Sequence, residues 1–214
     1  MRPIIVTVGP LATANPTAVA AAQAPASSFT LASSPVTLDT ARRILFTTVS
    51  ASDNGKTVTL TGIDINNQQQ TEVVALVNAN NVTTAYTALD YKSVSSITIS
   101  SAAAGNISVG TNTVASSAWV RLDEWSLPQT SVQVTAAGTV NYTVQQTMQD
   151  PNSPTNPVAP YLVSWVNSAD ANMVSQTATA QSSYAFAPAF AKLTLNSGSG
   201  SVTGVFAQSG VAPY

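Results

Sequence analysis

Between Ser93 and Thr111 the chain reads SVSSITISSAAAGNISVGT, two short β-branched runs around a small-residue stretch with no ionisable side chain. Apolar residues at every second position fit a strand with one buried face, because successive side chains of a strand point to opposite sides. The segment is expected to fold as a hairpin. Ile97 and Ile99 would share one face, and Ile107 and Val109 would resume it after Gly105-Asn106. Ser and Thr stand where a solvent-facing strand ordinarily carries Lys and Glu.

The same grammar runs along most of the sequence. In RILFTTVSASDNGKTVTLTGID two strand-like runs flank Asp53-Asn54-Gly55, a strong turn signal. Val58 and Leu60 alternate, and the phase then shifts at Gly62 to Ile63 and Ile65, which predicts a β-bulge at Gly62. TEVVALV (71–77) reads as another strand, and SAWVRLDEW (117–125) closes this part. Further on, Val132, Val134, Val140, Tyr142 and Val144 are in phase, interrupted at Ala137-Gly138. QDPNSPTNPVAP (149–160) is a loop, followed by YLVSWV. Tyr184, Phe186 and Phe190 are expected on one face, with Pro188 fitting an edge strand. A last hairpin is expected around Ser197-Gly198-Ser199-Gly200.

Regular short strands separated by turn signals predict an all-β protein of β-sandwich or jelly-roll-like domains. The expected division is an Ala/Pro-rich N-terminal arm over 1–37, a β-sandwich-like domain over 38–126 and a second one over 127–214. Within the arm, TAVAAAQA (17–24) is expected to be helical, stopped by Pro25. Ordering the arm costs about 1–2 kcal/mol per residue in backbone entropy, so it is expected to dock on its own domain or on a neighbouring subunit. Pro3, Gly9-Pro10 and Pro16 interrupt the apolar run of a signal peptide, so a cleaved signal is not expected.

Composition narrows the function. Charged residues make up 7% of the 214 residues, against about 25% in ordinary globular domains. The polar surface must therefore come from Ser, Thr, Asn and Gln, which suits contact with other protein, since interface cores are depleted in charge. Seven basic residues, with Arg42-Arg43 adjacent, are too few for a phosphate-binding patch, so no nucleic-acid partner is expected. The chain has no Cys and no His, which removes disulfides, thiolate chemistry, the commonest metal ligand and most catalytic triads. No run of about 18 apolar residues exists, so no membrane partner is expected.

Few residues invite chemistry. Asp123-Glu124 is the adjacent acid pair, but neighbours on a strand face opposite ways. Asp53/Asn54 and Asp64/Asn66/Asn67 offer oxygen ligands of the calcium type, yet Asx residues at turns ordinarily satisfy their own backbone. Trp119, Trp125 and Trp165 can stack on sugars or fill an interface pocket, with core packing expected for at least two. Tyr91 is a further aromatic for a glycan site. Asn81, Asn106 and Asn141 match a glycosylation sequon, as an Asn- and Thr-rich chain does by chance. No catalytic, cofactor-binding or metal-binding residue is expected, and no enzyme.

The start MRPIIVTVGPLATA, the runs TVTLTGID, SSITISSAAAGNISVGTNT and WVRLDEW, then GTVNYTVQQTMQDP and the closing LTLNSGSGSVTGVFAQSG, resemble virion proteins of tailed bacteriophages. The likeness covers most of the chain after residue 40 and is one of style and segment order. It is to the small β-rich auxiliary proteins that decorate heads or build head–tail and tail parts. The resemblance implies a structural protein of the virion, assembled in the host bacterial cytoplasm, forming a homo-oligomer and contacting other virion proteins such as the major capsid, connector or tail proteins, without cofactor. A capsid decoration or cement role is the first expectation, and a head–tail or host-contacting tail part the alternative. A bacterial adhesin or pilus-like subunit shares the composition but would require export.

Overall fold

The computed structural model describes residues 3–122, 130–186 and 188–208. The protein is all-β. Its strands are β1 (Ile4–Val8), β2 (Ala20–Gln23), β3 (Val36–Thr48), β4 (Thr57–Ile63), β5 (Gln69–Ala75), β6 (Thr84–Ile99) and β7 (Ile107–Ser116). There follow β8 (Val120–Arg121), β9 (Thr130–Ala137), β10 (Val140–Thr147), β11 (Val166–Asn167), β12 (Ala180–Tyr184), β13 (Phe190–Gly198) and β14 (Ser201–Gln208). By contact the chain divides into two compact units, one of residues 12–113 and one of residues 1–11 with 114–214.

In the unit of residues 12–113 the strand order is β7-β3-β6-β4-β5, with β2 on the far side of β7. The hairpin expected over residues 93–111 does not form, and the turn at Asp53-Asn54-Gly55 does not join two paired strands. The strands on either side of Asp53-Asn54-Gly55, β3 and β4, are both partners of β6, which lies between them. Likewise β6 and β7, the two runs of the 93–111 segment, are separated by β3. A turn signal marks where a strand ends, not which strand it pairs with next. The hairpin that does form is β4–β5, through an Asp64–Gln68 loop.

The predicted bulge is present at this position, but the extra residue belongs to the partner strand. Thr61 pairs with Ser96 and Gly62 with Val94, which leaves Ser95 unmatched on β6. Inward and outward residues alternate without a break through β4, and Gly62 is buried. On β6 the irregularity shows as a buried pair, Ser93-Val94, followed by an exposed pair, Ser95-Ser96.

TAVAAAQA is not a helix. Its central residues are β2, where Ala20 pairs with Val109 and Gln23 with Ile107. An eight-residue stretch cannot hold a helix by propensity alone, and pairing with β7 offers more. Val19 N–H donates to Val109 O at 3.0 Å, and Ala32 N–H to Val19 O at 2.9 Å. Phe29 N–H donates to Ile97 O at 3.0 Å. The hydrogen-bond path β7-β3-β6 thus returns to β7 through residues 27–32 and β2, enclosing a core that includes Val19, Ile44, Phe46, Leu60, Tyr91, Ile97 and Ile107. Gly110 admits this close approach, since a β carbon there would lie 2.0 Å from Asn15 O.

The second unit is a sandwich. One sheet has the order β1-β14-β9-β12, all antiparallel. The other holds β11-β10-β13, with β8 and residues 115–116 of β7 also on β13. Val132, Val134, Tyr142, Val144, Leu193, Leu195, Val202 and Phe206 form the core between them. The in-phase run Val132 to Val144 is therefore inward-facing throughout, but it crosses from one sheet to the other at Gly138-Thr139. The closing segment does the same. β13 pairs with β10 while β14 pairs with β9, so the expected last hairpin is an arch. The two arches nest, with Gly200 N–H donating to Thr139 O at 2.9 Å. Gly138 (φ 78°) and Gly198 (φ 115°) hold the left-handed backbone that these corners need.

Candidate assembly surfaces

The outer face of the β1-β14-β9-β12 sheet is built by strand alternation. Because Val8, Val202, Val132 and Tyr184 turn inward, the intervening residues must turn out. They form three cross-strand rows. Thr7, Thr203 and Thr135 make the first; Ile5, Val205, Gln133 and Gln181 the second; Ala207, Ser131 and Ser183 the third. No side chain in these rows ionises. Thr7 and Thr203 hydroxyls hydrogen-bond at 3.1 Å, the cross-strand Thr pairing that substitutes for an ion pair. Ile5 is 62% exposed. Ser131, Gln133, Gln181, Ser183, Val205 and Ala207 also line a shallow depression of about 450 Å³.

The same unit carries an aromatic shelf. Trp119 and Trp165 are half-buried and meet edge to face, with ring centroids 5.0 Å apart. Trp119 also packs edge-on against Phe190 at 5.7 Å. Lys192 Nζ lies 4.6 Å from the centre of the Trp165 ring, and Arg121 stands 5.5 Å from that of Phe190. Arg121 in turn pairs with Asp150 at 2.8 Å. Core packing was the expectation for two of the three tryptophans, but neither Trp119 nor Trp165 joins the buried cluster of this unit. Trp125 and the pair Asp123-Glu124 lie outside the described residues. Tyr91 is fully buried and is withdrawn as a glycan contact. Tyr184, Phe186 and Phe190 do not share one face: Tyr184 joins the core cluster, Phe190 lies against Trp119 on the face of β13 opposite Leu193 and Leu195, and Phe186 is 49% exposed beyond the end of β12.

The carboxylates singled out as oxygen ligands are engaged by the protein itself. Asp53 is completely buried. Its carboxylate accepts from Lys56 Nζ and Ala104 N–H, both at 2.7 Å, and from Gly105 N–H at 3.0 Å. Lys56 Nζ donates also to Ala102 O at 2.7 Å. Burial alone would raise the Asp53 pKa, but these donors outweigh it and hold the group below the ordinary aspartate value. Asp64 Oδ1 accepts from the N–H groups of Asn66 and Gln68, both at 2.8 Å, an Asx closure of the β4–β5 loop.

Sequence reasoning passed over Glu72, although it is one of only nine acidic residues. It sits on β5 and accepts from Ala88 N–H and from Leu89 N–H. Desolvation raises its pKa, against the lowering effect of those two donors and of Arg43. Of the basic pair, Arg42 is inward-turned and Arg43 is partly exposed. Arg42 is 2% exposed, donates to Ala12 O and lies 3.4 Å from Asp39, while Arg43 lies 3.8 Å from Asp90.

Among the described residues no group of three or more His, Cys, Asp or Glu is placed to hold a metal ion, and no helix is long and apolar enough to cross a membrane. The chain matches no protein-family model, no curated protein and no solved structure.

Proposed function

We propose that the chain is a non-catalytic structural component of a tailed-phage virion, a capsid decoration or cement protein that acts through contacts between copies and with other virion proteins. The observation that carries this reading is the outer face of the β1-β14-β9-β12 sheet, whose three rows hold hydroxyl, amide and apolar groups and nothing charged. Hydroxyls and amides both donate and accept, so such a face is complementary to neutral protein surface and repels no copy of itself.

Size sets the manner of working. Four strands spaced about 4.8 Å apart, each some 17–27 Å long, give a face of roughly 400 Å². A standard interface takes about 800 Å² from each partner. One such face therefore binds weakly, and holds firmly only when many copies engage one particle together.

Antibodies against the chain are expected to label the head of intact particles, and the purified chain to self-associate as its concentration rises. Material that stays monomeric and binds no particle overturns the reading. The half-exposed Trp119–Trp165 shelf favours a second reading, a host-contacting tail part that stacks sugar rings. Tail labelling, with glycan binding lost in Trp165→Ala, would select it.

A further inference from the structure

We infer that β1 is an assembly edge, and that it pairs antiparallel with β1 of a second copy across a two-fold axis. This rests on the assembly reading above and names the partner of that sheet. Among the described residues β1 has a strand neighbour on one side only, β14. A free strand edge offers a row of N–H and C=O groups, which proteins ordinarily protect with a charge, a bulge, a proline or a cover. IIVTV has no charge, and its pairing with β14 runs one-to-one from Ile4 to Val8 without a bulge. Its prolines, Pro3 and Pro10, lie just outside. Ile4 is 41% and Ile5 62% exposed. At the opposite edge of the sheet, β12 turns out Gln181 and Ser183 instead.

The prolines also set the register. Neither has an N–H to donate, so pairing is confined to the segment between them. A two-fold contact is isologous, with each residue meeting its counterpart by the same rule. Centring the axis on Val6 pairs all five residues and places Ile5 of each copy opposite Thr7 of the other, both on the outer face. The two outer faces then lie side by side in one continuous eight-stranded sheet. Its area of roughly 800 Å² matches the footprint that a stable interface takes from one partner.

Sedimentation velocity on the full chain, over a dilution series, tests the inference with two paired variants. Ile5→Lys with Thr7→Lys puts like charges directly opposite and is expected to abolish the dimer, while circular dichroism stays that of the folded chain. Ile5→Lys with Thr7→Glu puts opposite charges across the same contacts and is expected to restore it. Amide hydrogen exchange on the unaltered chain should show protection over residues 4–8 that rises with concentration, a readout that needs no variant. A folded double-lysine variant that associates like the unaltered chain overturns the edge pairing and leaves the assembly reading standing. Failure of the Lys/Glu pair to restore the dimer, or exchange at 4–8 that ignores concentration, also overturns the edge pairing. An unaltered chain that never associates overturns the edge pairing, and overturns the assembly reading too when it also binds no particle.

Discussion

Gly62 lies against the ring of Tyr91: a β carbon on the glycine would stand 2.9 Å from Tyr91 Cδ1 and 2.1 Å from Ser93 O. The second distance involves backbone, which cannot swing away. Gly62→Ala is expected to lower unfolding free energy by about 2–3 kcal/mol, the upper part of the range for overpacking a filled core, measured by urea titration. The Tyr91 hydroxyl is buried with no hydrogen-bond partner among the described residues, and burial drives its pKa far upward. Tyr91→Phe removes an unsatisfied group and keeps the ring, so stability is expected to hold or to rise by up to about 1 kcal/mol.

Asp53 fastens the 50–56 turn to the 102–105 loop. Asp53→Ala leaves Lys56 and two N–H groups without their acceptor and is expected to cost about 3–5 kcal/mol. Asp53→Asn, which keeps one acceptor oxygen, should fall between. The folded pKa is depressed, so the carboxylate's contribution is full above the unfolded value near 3.8 and fades as pH falls through the lower folded value. Acid titration of stability should therefore lose part of its slope below pH 3.8 in Asp53→Asn.

Glu72 behaves with the opposite sign. Its folded pKa is raised by desolvation, so the folded state holds the proton more tightly than the unfolded state. Its contribution is full below the unfolded value of 4.5 and is lost as pH rises through the folded value. Glu72→Gln is expected to flatten that part of the stability–pH curve, and chemical denaturation across pH 4 to 7 would read it.

At the nested arches, Gly198 combines φ 115° with a β carbon position 2.2 Å from Thr139 O. Gly198→Ala is expected to destabilise by about 3 kcal/mol or more, through backbone strain and the clash together. Gly55, with φ 79° but nothing within 4 Å, should pay only the strain, about 1–2 kcal/mol in Gly55→Ala. Thermal unfolding of the two variants side by side separates the contributions.

The period-two pattern made strand positions and inward faces legible. Val132, Val134, Tyr142 and Val144 are buried as their phase requires. Partner choice was not legible, because it depends on contacts far along the chain. Turn residues do not announce the outcome: the Asn-rich loop from Asp64 to Gln68, without glycine, closes a hairpin, while the glycine corners at Gly138 and Gly200 are arches. β2 was misread since its Ala-rich text favours helix locally, and only Val109 and Ile107 decide otherwise. The neutral face was readable as composition but not as a place. Only the register of β1, β14, β9 and β12 collects its rows. Trp119 and Trp165 could be named but not joined, since they precede β8 and β11, two strands related only through β13 and β10 between them.

The pairing of β1 with β14 sets an order for synthesis. Ile4 finds its partner in Phe206 and Val8 in Val202, so the earlier strand must wait for a much later one. All of residues 12–113 can reach their own contacts on the ribosome in the meantime. A nascent chain that stops short of residue 201 lacks the strand that lies beside IIVTV, and that sticky segment stays bare until residues 201–208 have been made.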